Sequence, residues 1–212
     1  MKYRRFGKTN WNIGEIGYGM WGMGGWTNSN DIQSSDSLDL AVENGVHFFD
    51  TAWGYGEGHS EKLLGKLLKR HQNKKLYSAS KLPPKNFKWP AKSEYSFFDS
   101  YPSNHILDYT ERTLKNLDVE KIDLLQFHTW DDSWSSIDEW KRSVEDLKKS
   151  GKITAIGISM NRWEPENGIK ALKTGLIDSV QVIYNIFDQA PEDKLFPICK
   201  KLDIGIIARV PF

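Results

Sequence analysis

Cysteine, net charge and long apolar runs are all scarce in this chain, and each scarcity excludes a class of protein. Cys199 is the only cysteine among 212 residues, so no internal disulfide can form, and this usage is typical of a reducing compartment such as the cytoplasm. The 29 Lys and Arg residues nearly balance the 28 Asp and Glu residues, which leaves a net charge of +1. That balance does not favour binding to nucleic acid or to an anionic membrane. No apolar run approaches the ~20 residues that cross a bilayer. We therefore expect a cytoplasmic globular protein that binds neither nucleic acid nor a membrane.

What the chain has instead is an even alternation of short apolar runs and longer amphipathic segments. Seven runs rich in Ile, Val and Phe predict strands at residues 15–18, 47–49, 76–80, 122–127, 153–159, 179–184 and 205–208. The segments between them predict helices at residues 31–43, 60–70, 103–117, 136–149, 164–174 and 193–201. Helix boundaries are indicated by candidate serine N-caps and by glycines just past helix ends: Ser60, Ser103 and Ser136, and Gly45, Gly151 and Gly175.

This alternation predicts the fold class. Repeated strand–helix units form right-handed crossovers in a parallel sheet, and their even spacing favours a (β/α)8 TIM barrel over a doubly wound sheet. A complete barrel needs about 250 residues, and an eighth strand with its helices is not found in residues 1–212. We therefore expect one incomplete barrel domain over residues 1–212, which is part of a longer protein or is completed by another chain along its exposed edges.

One predicted loop, residues 82–101, is long and rich in aromatic side chains. Loops of this length in compact domains are commonly lids or binding elements. A disordered insertion is the alternative, but disordered segments seldom carry so many aromatic residues. We expect the loop to cover an apolar surface.

Ionisable side chains follow three neighbouring predicted strands at the point where each strand ends. Asp50 follows the second strand with Tyr55 in the glycine-rich turn behind it, Lys81 follows the third strand and His128 follows the fourth. A lone histidine or lysine in such a place is more often a hydrogen-bonding or solvated residue than a catalyst. Because the carboxyl ends of consecutive barrel strands converge on one mouth, the four residues together predict an active site.

These residues closely resemble the motifs of the aldo-keto reductases. The resemblance is carried by residues 45–65, Lys81 and residues 124–128, with further matches at 119–124, 148–159 and 180–184. It covers essentially the whole chain, and the segment with Asp50 and Tyr55 is its most specific part. The resemblance implies a (β/α)8 barrel that reduces an aldehyde or ketone with a nicotinamide coenzyme. It also implies a catalytic tetrad of Asp50, Tyr55, Lys81 and His128.

The residue types of the tetrad suit a reaction that delivers a hydride to carbon and a proton to oxygen. A free phenol, with a pKa of about 10, releases its proton reluctantly at neutral pH, and a nearby ammonium group lowers such a pKa. We therefore hypothesise that Tyr55 is the general acid, that Lys81 assists it and that Asp50 orients Lys81. His128 is expected to donate a hydrogen bond to the carbonyl oxygen, where charge develops.

The resemblance also implies a site for NADP(H), with NAD(H) left open. Its expected residues are Gly19, Met20 and Trp21 after the first strand, Asp50, Ser159, Asn161 and Gln181 at later strand ends, and Arg209 after the seventh strand. Two of these positions depart from the family's pattern, since Met160 separates the Ser-Asn pair and Arg209 replaces a common aromatic residue. Residues 17–22 also match G-x-G-x-x-G, but no helix is predicted to begin at its third glycine, so a Rossmann site is not expected.

Tryptophans are abundant, nine in all, and several fall in loops at the predicted mouth. We expect Trp21, Trp53, Trp89 and Trp130 to line a pocket for an apolar or ring-shaped carbonyl substrate, with Trp134 in the same ring of loops. A stacked sugar would need similar side chains. No metal site is expected, because no cluster of His, Asp or Glu has ligand spacing.

Two other functions stay open at this point. One is a regulatory subunit that binds the coenzyme and senses redox state with little turnover. The other is an inactive fragment of a reductase. The oligomeric state and the physiological substrate are not predicted.

Overall fold

A computed structural model describes residues 1–26, 28–161 and 163–211, and a seven-stranded parallel sheet forms its centre. Two N-terminal strands, β1 (Tyr3–Phe6) and β2 (Trp11–Gly14), form a separate antiparallel hairpin that the sequence pattern did not predict. The parallel sheet consists of β3 (Tyr18–Gly19), β4 (Phe48–Asp50), β5 (Tyr77–Leu82), β6 (Ile122–Phe127), β7 (Ile153–Ser159), β8 (Ser179–Ile183) and β9 (Gly205–Arg209).

The strands of the parallel sheet lie in sequence order, and each pairs in parallel with the next. The two edge strands, β3 and β9, are not paired with each other in the described part of the chain. A cavity of about 890 Å³ lies between them. This topology confirms the prediction of an incomplete (β/α)8 barrel.

Helices form the crossovers between strands. They are α1 (Asp31–Glu43), α2 (His59–Arg70), α3 (Phe97–Ser100), α4 (Ser103–Leu117), α5 (Asp138–Lys149), α6 (Ile169–Leu172) and α7 (Leu195–Leu202). The largest difference from prediction is α6, which occupies only part of residues 164–174. Pro165 disfavours helical backbone at the residue before it, and Gly168 is the N-cap of the short helix that follows.

The predicted serine N-caps are wrong, whereas the predicted glycine stops are confirmed. The N-caps of α2, α4 and α5 are Gly58, Pro102 and Ile137, none of which makes a side-chain capping bond. The glycines past three helix ends have left-handed φ angles of +87°, +77° and +82°: Gly45, Gly151 and Gly175. Only glycine adopts this conformation without a steric cost.

Apolar side chains cover both faces of the sheet, which explains its continuously apolar strands. A large cluster between the sheet and the helices includes Leu64, Leu117 and Ile156. A second cluster fills the amino-terminal end of the barrel interior, where rings of the hairpin pack against rings of the sheet, as in the pair Trp11–Tyr77 at 4.9 Å between centroids. The hairpin thus closes that end with apolar groups, and the polar interior residues lie toward the carboxyl-terminal end.

The long loop between β5 and α4 is packed onto the barrel by two aromatic residues. Phe97 and Tyr101 are almost completely buried. The backbone N–H of Ala91 donates to Thr129 Oγ1 at 2.7 Å, which ties the loop to the segment after β6. Trp89 remains about half exposed. These contacts favour a binding or lid element over a disordered insertion.

Candidate active site

The predicted tetrad residues meet at the carboxyl-terminal end of the sheet. Asp50 ends β4, Lys81 lies near the end of β5 and His128 directly follows β6. Lys81 Nζ donates to Asp50 Oδ2 at 2.6 Å, to the Thr51 carbonyl oxygen at 2.7 Å and to the Tyr55 hydroxyl at 3.2 Å. The rings of Tyr55 and His128 meet edge to face, with 5.8 Å between their centroids. All four side chains therefore form one cluster.

Two glycines shape the turn that presents Tyr55. Gly56 and Gly58 have left-handed φ angles of +69° and +87°. A Cβ at Gly56 would lie 2.4 Å from the Gly24 carbonyl oxygen, and a Cβ at Gly58 would lie 2.3 Å from Asn116 Nδ2. Neither position accepts a side chain without displacing its neighbours. The turn between β4 and α2, which places Tyr55 at the cluster, therefore requires glycine at both positions.

Lys81 is a buried ammonium group with a local counterion. Its side chain is only 1% exposed, and burial alone lowers the pKa of a lysine. Burial is outweighed by the charge of Asp50 and by the contacts with Asp50 and Tyr55, so the pKa of Lys81 is raised above its ordinary value. Lys81 therefore stays protonated at neutral pH, next to the Tyr55 hydroxyl.

His128 has the opposite electrostatic environment. Burial, and then the charges of Lys81 and Arg209, lower the pKa of His128 to about 3. Its imidazole is therefore neutral at physiological pH. Nδ1 is buried and has no hydrogen-bond partner among the described residues. Because an orphaned N–H there would be rarer than an orphaned lone pair, the favoured tautomer carries its proton on Nε2, which can donate to a ligand.

A cavity of about 1420 Å³ opens at the cluster and is lined by Tyr55, His128 and several indole rings. Trp26 meets the Tyr55 ring edge to face at 6.1 Å, and Trp89 meets the His128 ring in the same way at 5.8 Å. Trp21 also lines this cavity. The sequence analysis did not predict Trp26. Its only signal in the sequence is its position, since this bulky aromatic residue directly follows two glycines in the loop after β3.

A match to a protein-family model identifies the family of this chain. The model described as the aldo/keto reductase family matches residues 15–212. This chain belongs to the aldo/keto reductase family. The sequence resemblance found through the tetrad motifs is thereby confirmed.

Comparison with individual members of the family shows how much of their length this chain covers. It is 29% identical over 205 residues to the aldo-keto reductase YhdN of Bacillus subtilis, covering 94% of this chain and 59% of that protein. It is 28% identical over 224 residues to the NADH-specific methylglyoxal reductase of Escherichia coli, covering 99% and 66%. The solved holo form of an aldo-keto reductase from Bacillus halodurans matches with a TM-score of 0.82 and 26% identity, covering 98% and 65%. The chain thus spans less than two thirds of the length of these relatives.

In this member of the aldo/keto reductase family, the chemistry of Ser159 and Gln181 suits the carboxamide of a nicotinamide. Ser159 at the end of β7 pairs in register with Gln181 in the middle of β8, and both line the large cavity. Both residues are buried, yet neither side chain has a hydrogen-bond partner among the described residues. A hydroxyl and an amide with unused donor and acceptor capacity match the donor and acceptor of a carboxamide.

Asn161 and Arg209 also line the cavity, but each is already engaged. Asn161 Nδ2 donates to the Ala91 carbonyl oxygen at 3.2 Å and to Glu164 Oε2 at 3.3 Å. Arg209 donates through a terminal guanidinium nitrogen to the Met160 carbonyl oxygen at 3.2 Å. Asn161 therefore links the long loop to the segment after β7, and its donor group is not free for a coenzyme.

The segment after β3 is placed differently from the prediction. Met20 is wholly buried, and its carbonyl oxygen accepts a bond from Ser60 Oγ at 3.1 Å, so its side chain does not reach a ligand. Gly19 lines the cavity between the edge strands rather than the cavity at the tetrad. Gly22, the third glycine of the G-x-G-x-x-G match, lies in a 3-10 helix (Trp21–Met23) and not at the start of an α-helix.

Two tryptophans assigned to the substrate pocket lie elsewhere, which corrects that expectation. Trp130 is 0% exposed. Its ring packs at centroid distances of 5.2 to 5.7 Å against Phe127, Trp134 and Trp140. Trp53 is half-buried against Tyr109 of α4, at 4.7 Å. Loop membership brought both residues near the mouth, but apolar partners on β6, α4 and α5 turn their rings away from the cavity.

The lone cysteine is not a second reactive site. Cys199 is buried, and burial raises the pKa of its thiol to about 12, so it is not an activated nucleophile. Across residues 1–26, 28–161 and 163–211, no three His, Cys, Asp or Glu side chains are grouped as a metal site requires. In the same ranges, no helix is both long enough and apolar enough to cross a membrane.

The lowered pKa of His128 predicts an acid-sensitive fold. The unfolded chain binds a proton at this histidine below about pH 6.5, whereas the folded chain does so only near 3. The free energy of unfolding should therefore fall as the pH drops through this window, by up to about 1.4 kcal/mol per pH unit from this group. Urea denaturation of wild type and His128→Gln between pH 4 and pH 7 measures the difference, and the variant should lose stability less steeply.

The matched control is His59→Gln, because the His59 ring lies at the surface beside Asp31. That variant should follow the wild-type slope. Parallel pH dependences for wild type and His128→Gln would contradict the neutral, buried imidazole.

Proposed function

We propose that this chain reduces an aldehyde or ketone to the alcohol with a nicotinamide coenzyme, and that Tyr55 donates the proton. The proposal rests mainly on one observation. A hydrogen-bond chain runs from Asp50 through Lys81 to the Tyr55 hydroxyl, with distances of 2.6 and 3.2 Å, and it ends at the large cavity. Membership of the aldo/keto reductase family supports the reaction class.

The four residues divide the proton transfer among them. Tyr55 gives its hydroxyl proton to the carbonyl oxygen as the new C–H bond forms. The ammonium group of Lys81, held in place by Asp50, stabilises the phenolate that remains. His128 donates a hydrogen bond from Nε2 to the same oxygen, where negative charge develops. Because His128 is neutral, it polarises the carbonyl without competing with Tyr55 as the acid.

The coenzyme, when bound, supplies the hydride. Ser159 and Gln181 would hold its carboxamide through the hydroxyl and amide groups, which have no hydrogen-bond partner in the described part of the chain. Arg209 contributes a positive charge to the same cavity, which suits the anionic part of a dinucleotide. NADP(H) and NAD(H) both belong to the proposal, and the Escherichia coli relative is named as NADH-specific.

The cavity walls indicate the kind of carbonyl compound. Trp21, Trp26 and Trp89 present half-exposed indole rings around the tetrad. Indole faces and edges bind apolar or ring-shaped groups. We therefore propose a substrate whose carbonyl group is attached to a flat or apolar moiety.

The direct test is oxidation of NADPH and of NADH by the purified chain, followed at 340 nm with a panel of aromatic and aliphatic aldehydes and ketones. Carbonyl-dependent turnover, fastest for ring-bearing compounds, is the expected result. Saturable coenzyme binding by fluorescence titration, with no turnover across the panel, would support the redox-sensing regulatory subunit instead. Neither binding nor turnover would identify an inactive fragment.

A further inference from the structure

We propose that Gln126 is a positioning residue of this site, which fixes the Asp50 carboxylate so that Asp50 can hold Lys81. The inference rests on the proposed function for its catalytic consequence. Gln126 lies on β6, opposite Lys81 of β5 on one side and Gly157 of β7 on the other. It stands two residues before His128, so the same strand carries both side chains toward the barrel interior.

The contact with Asp50 is direct. Gln126 Nε2 donates to Asp50 Oδ1 at 3.1 Å, while Lys81 Nζ donates to Asp50 Oδ2 at 2.6 Å. Each carboxylate oxygen therefore has its own donor, and the two donors come from two different strands. Among the described residues these are the only side-chain donors to Asp50. Without the amide, only Lys81 would restrain rotation of the carboxylate about its Cβ–Cγ bond, so we expect Oδ2 to shift relative to Lys81 Nζ.

A packing role does not explain an amide at this place. Gln126 is 0% exposed. Its Oε1 is buried and has no partner in the described part of the chain. Burying half of an amide without a partner costs free energy that an apolar side chain would not cost. What the amide provides in exchange is the bond to Asp50.

The neighbouring strand is shaped to accept this side chain. A Cβ at Gly157 would lie 3.1 Å from Gln126 Cγ and 2.4 Å from Ser179 Oγ. A larger residue at position 157 would push against both side chains. The absence of a side chain there lets Gln126 extend across the interior as far as Asp50.

Two substitutions test the proposal in the full chain. Gln126→Leu removes the donor at similar volume, and kcat should fall about tenfold or more, the effect of one hydrogen bond to a charged group, with little change in KM for the coenzyme. Gln126→Glu should behave differently with pH. When protonated, the new carboxyl group can donate to Asp50 as the amide does, and when ionised it repels Asp50. Its activity should therefore approach wild type at acid pH and fall as the pH rises.

Ser179→Ala is the matched control. Ser179 is also 0% exposed and its hydroxyl also has no partner among the described residues, but it does not contact the tetrad. Its kcat and pH profile should match wild type. If Gln126→Leu and Gln126→Glu behaved like Ser179→Ala, the proposal would be overturned.

A measurement without coenzyme or substrate separates this proposal from the proposed function. The side-chain amide signals of Gln126 in a ¹⁵N NMR spectrum, identified by their loss in Gln126→Leu, should shift in Asp50→Ala. A crystal structure of Gln126→Leu should show Asp50 Oδ2 displaced from Lys81 Nζ. Unshifted amide signals, or an unchanged Asp50–Lys81 contact, would refute the positioning role even if the wild-type chain proved to be an active reductase. Shifted signals in a chain without turnover would refute the proposed function alone.

Discussion

Tyr55→Phe is expected to lower the rate of carbonyl reduction by about 10²- to 10⁴-fold, the usual contribution of a positioned general acid. The substitution removes only the hydroxyl oxygen that lies 3.2 Å from Lys81 Nζ. The ring can keep its edge-to-face contacts with Trp26 and His128, at 6.1 and 5.8 Å. Binding of coenzyme should therefore be little changed, and the loss should fall on kcat rather than on the coenzyme KM. Steady-state kinetics of wild type and variant with one aldehyde measure it.

Tyr18→Phe is the matched control for the loss of a phenol. Tyr18 lies on the neighbouring strand β3, and its hydroxyl bonds to Ser37 Oγ at 2.7 Å, away from the tetrad. Its kinetics should stay close to wild type. A rate for Tyr55→Phe within about tenfold of wild type would be too small a loss for a general acid and would remove Tyr55 from that role.

The fold and the tetrad could be predicted because both depend on position along the chain. Strands buried on both faces leave continuous apolar runs, so β6 and β7 have the predicted bounds of 122–127 and 153–159. The carboxyl ends of the strands in a parallel barrel share one edge. Once the strands were identified, Asp50, Lys81 and His128 could therefore be predicted to be neighbours. The resemblance to the aldo-keto reductases added the chemistry that unites them.

The direction of loop side chains could not be predicted in the same way. Trp89 and Trp130 both lie in segments after strands, yet Trp89 faces the cavity and Trp130 faces the core. The difference comes from Trp140, on a helix that begins eight positions later, which provides an apolar surface for Trp130. Such pairings depend on tertiary packing and leave no periodic pattern. The proposed role of Gln126 could not be predicted for a related reason, since it depends on an acceptor, Asp50, on another strand.

Trp130→Ala is expected to destabilise the fold by about 3–5 kcal/mol, as removal of a fully buried large aromatic side chain does. The ring packs against three others, and its Nε1 donates to Asp132 Oδ1 at 3.3 Å. Asp132 in turn accepts bonds from the backbone N–H groups of Lys170 and Ala171 at the start of α6. The cavity left by the indole would therefore loosen the segment after β6 as well as the core. Urea denaturation of variant and wild type measures the change in free energy of unfolding.

Trp89→Ala separates the two kinds of tryptophan, because Trp89 is 46% exposed and meets His128 at the cavity. Its truncation should raise KM for a ring-bearing substrate while costing less than about 1 kcal/mol of stability, as surface substitutions usually do. Trp130→Ala should show the reverse pattern, and Trp130→Phe, which keeps part of the apolar volume, should give a smaller loss if the alanine variant does not fold. If Trp130→Ala were stable but bound substrate more weakly, Trp130 would instead belong to the substrate pocket. The crossed comparison thus tests whether burial, rather than position after a strand, separates the tryptophans that hold the barrel together from those that meet the substrate.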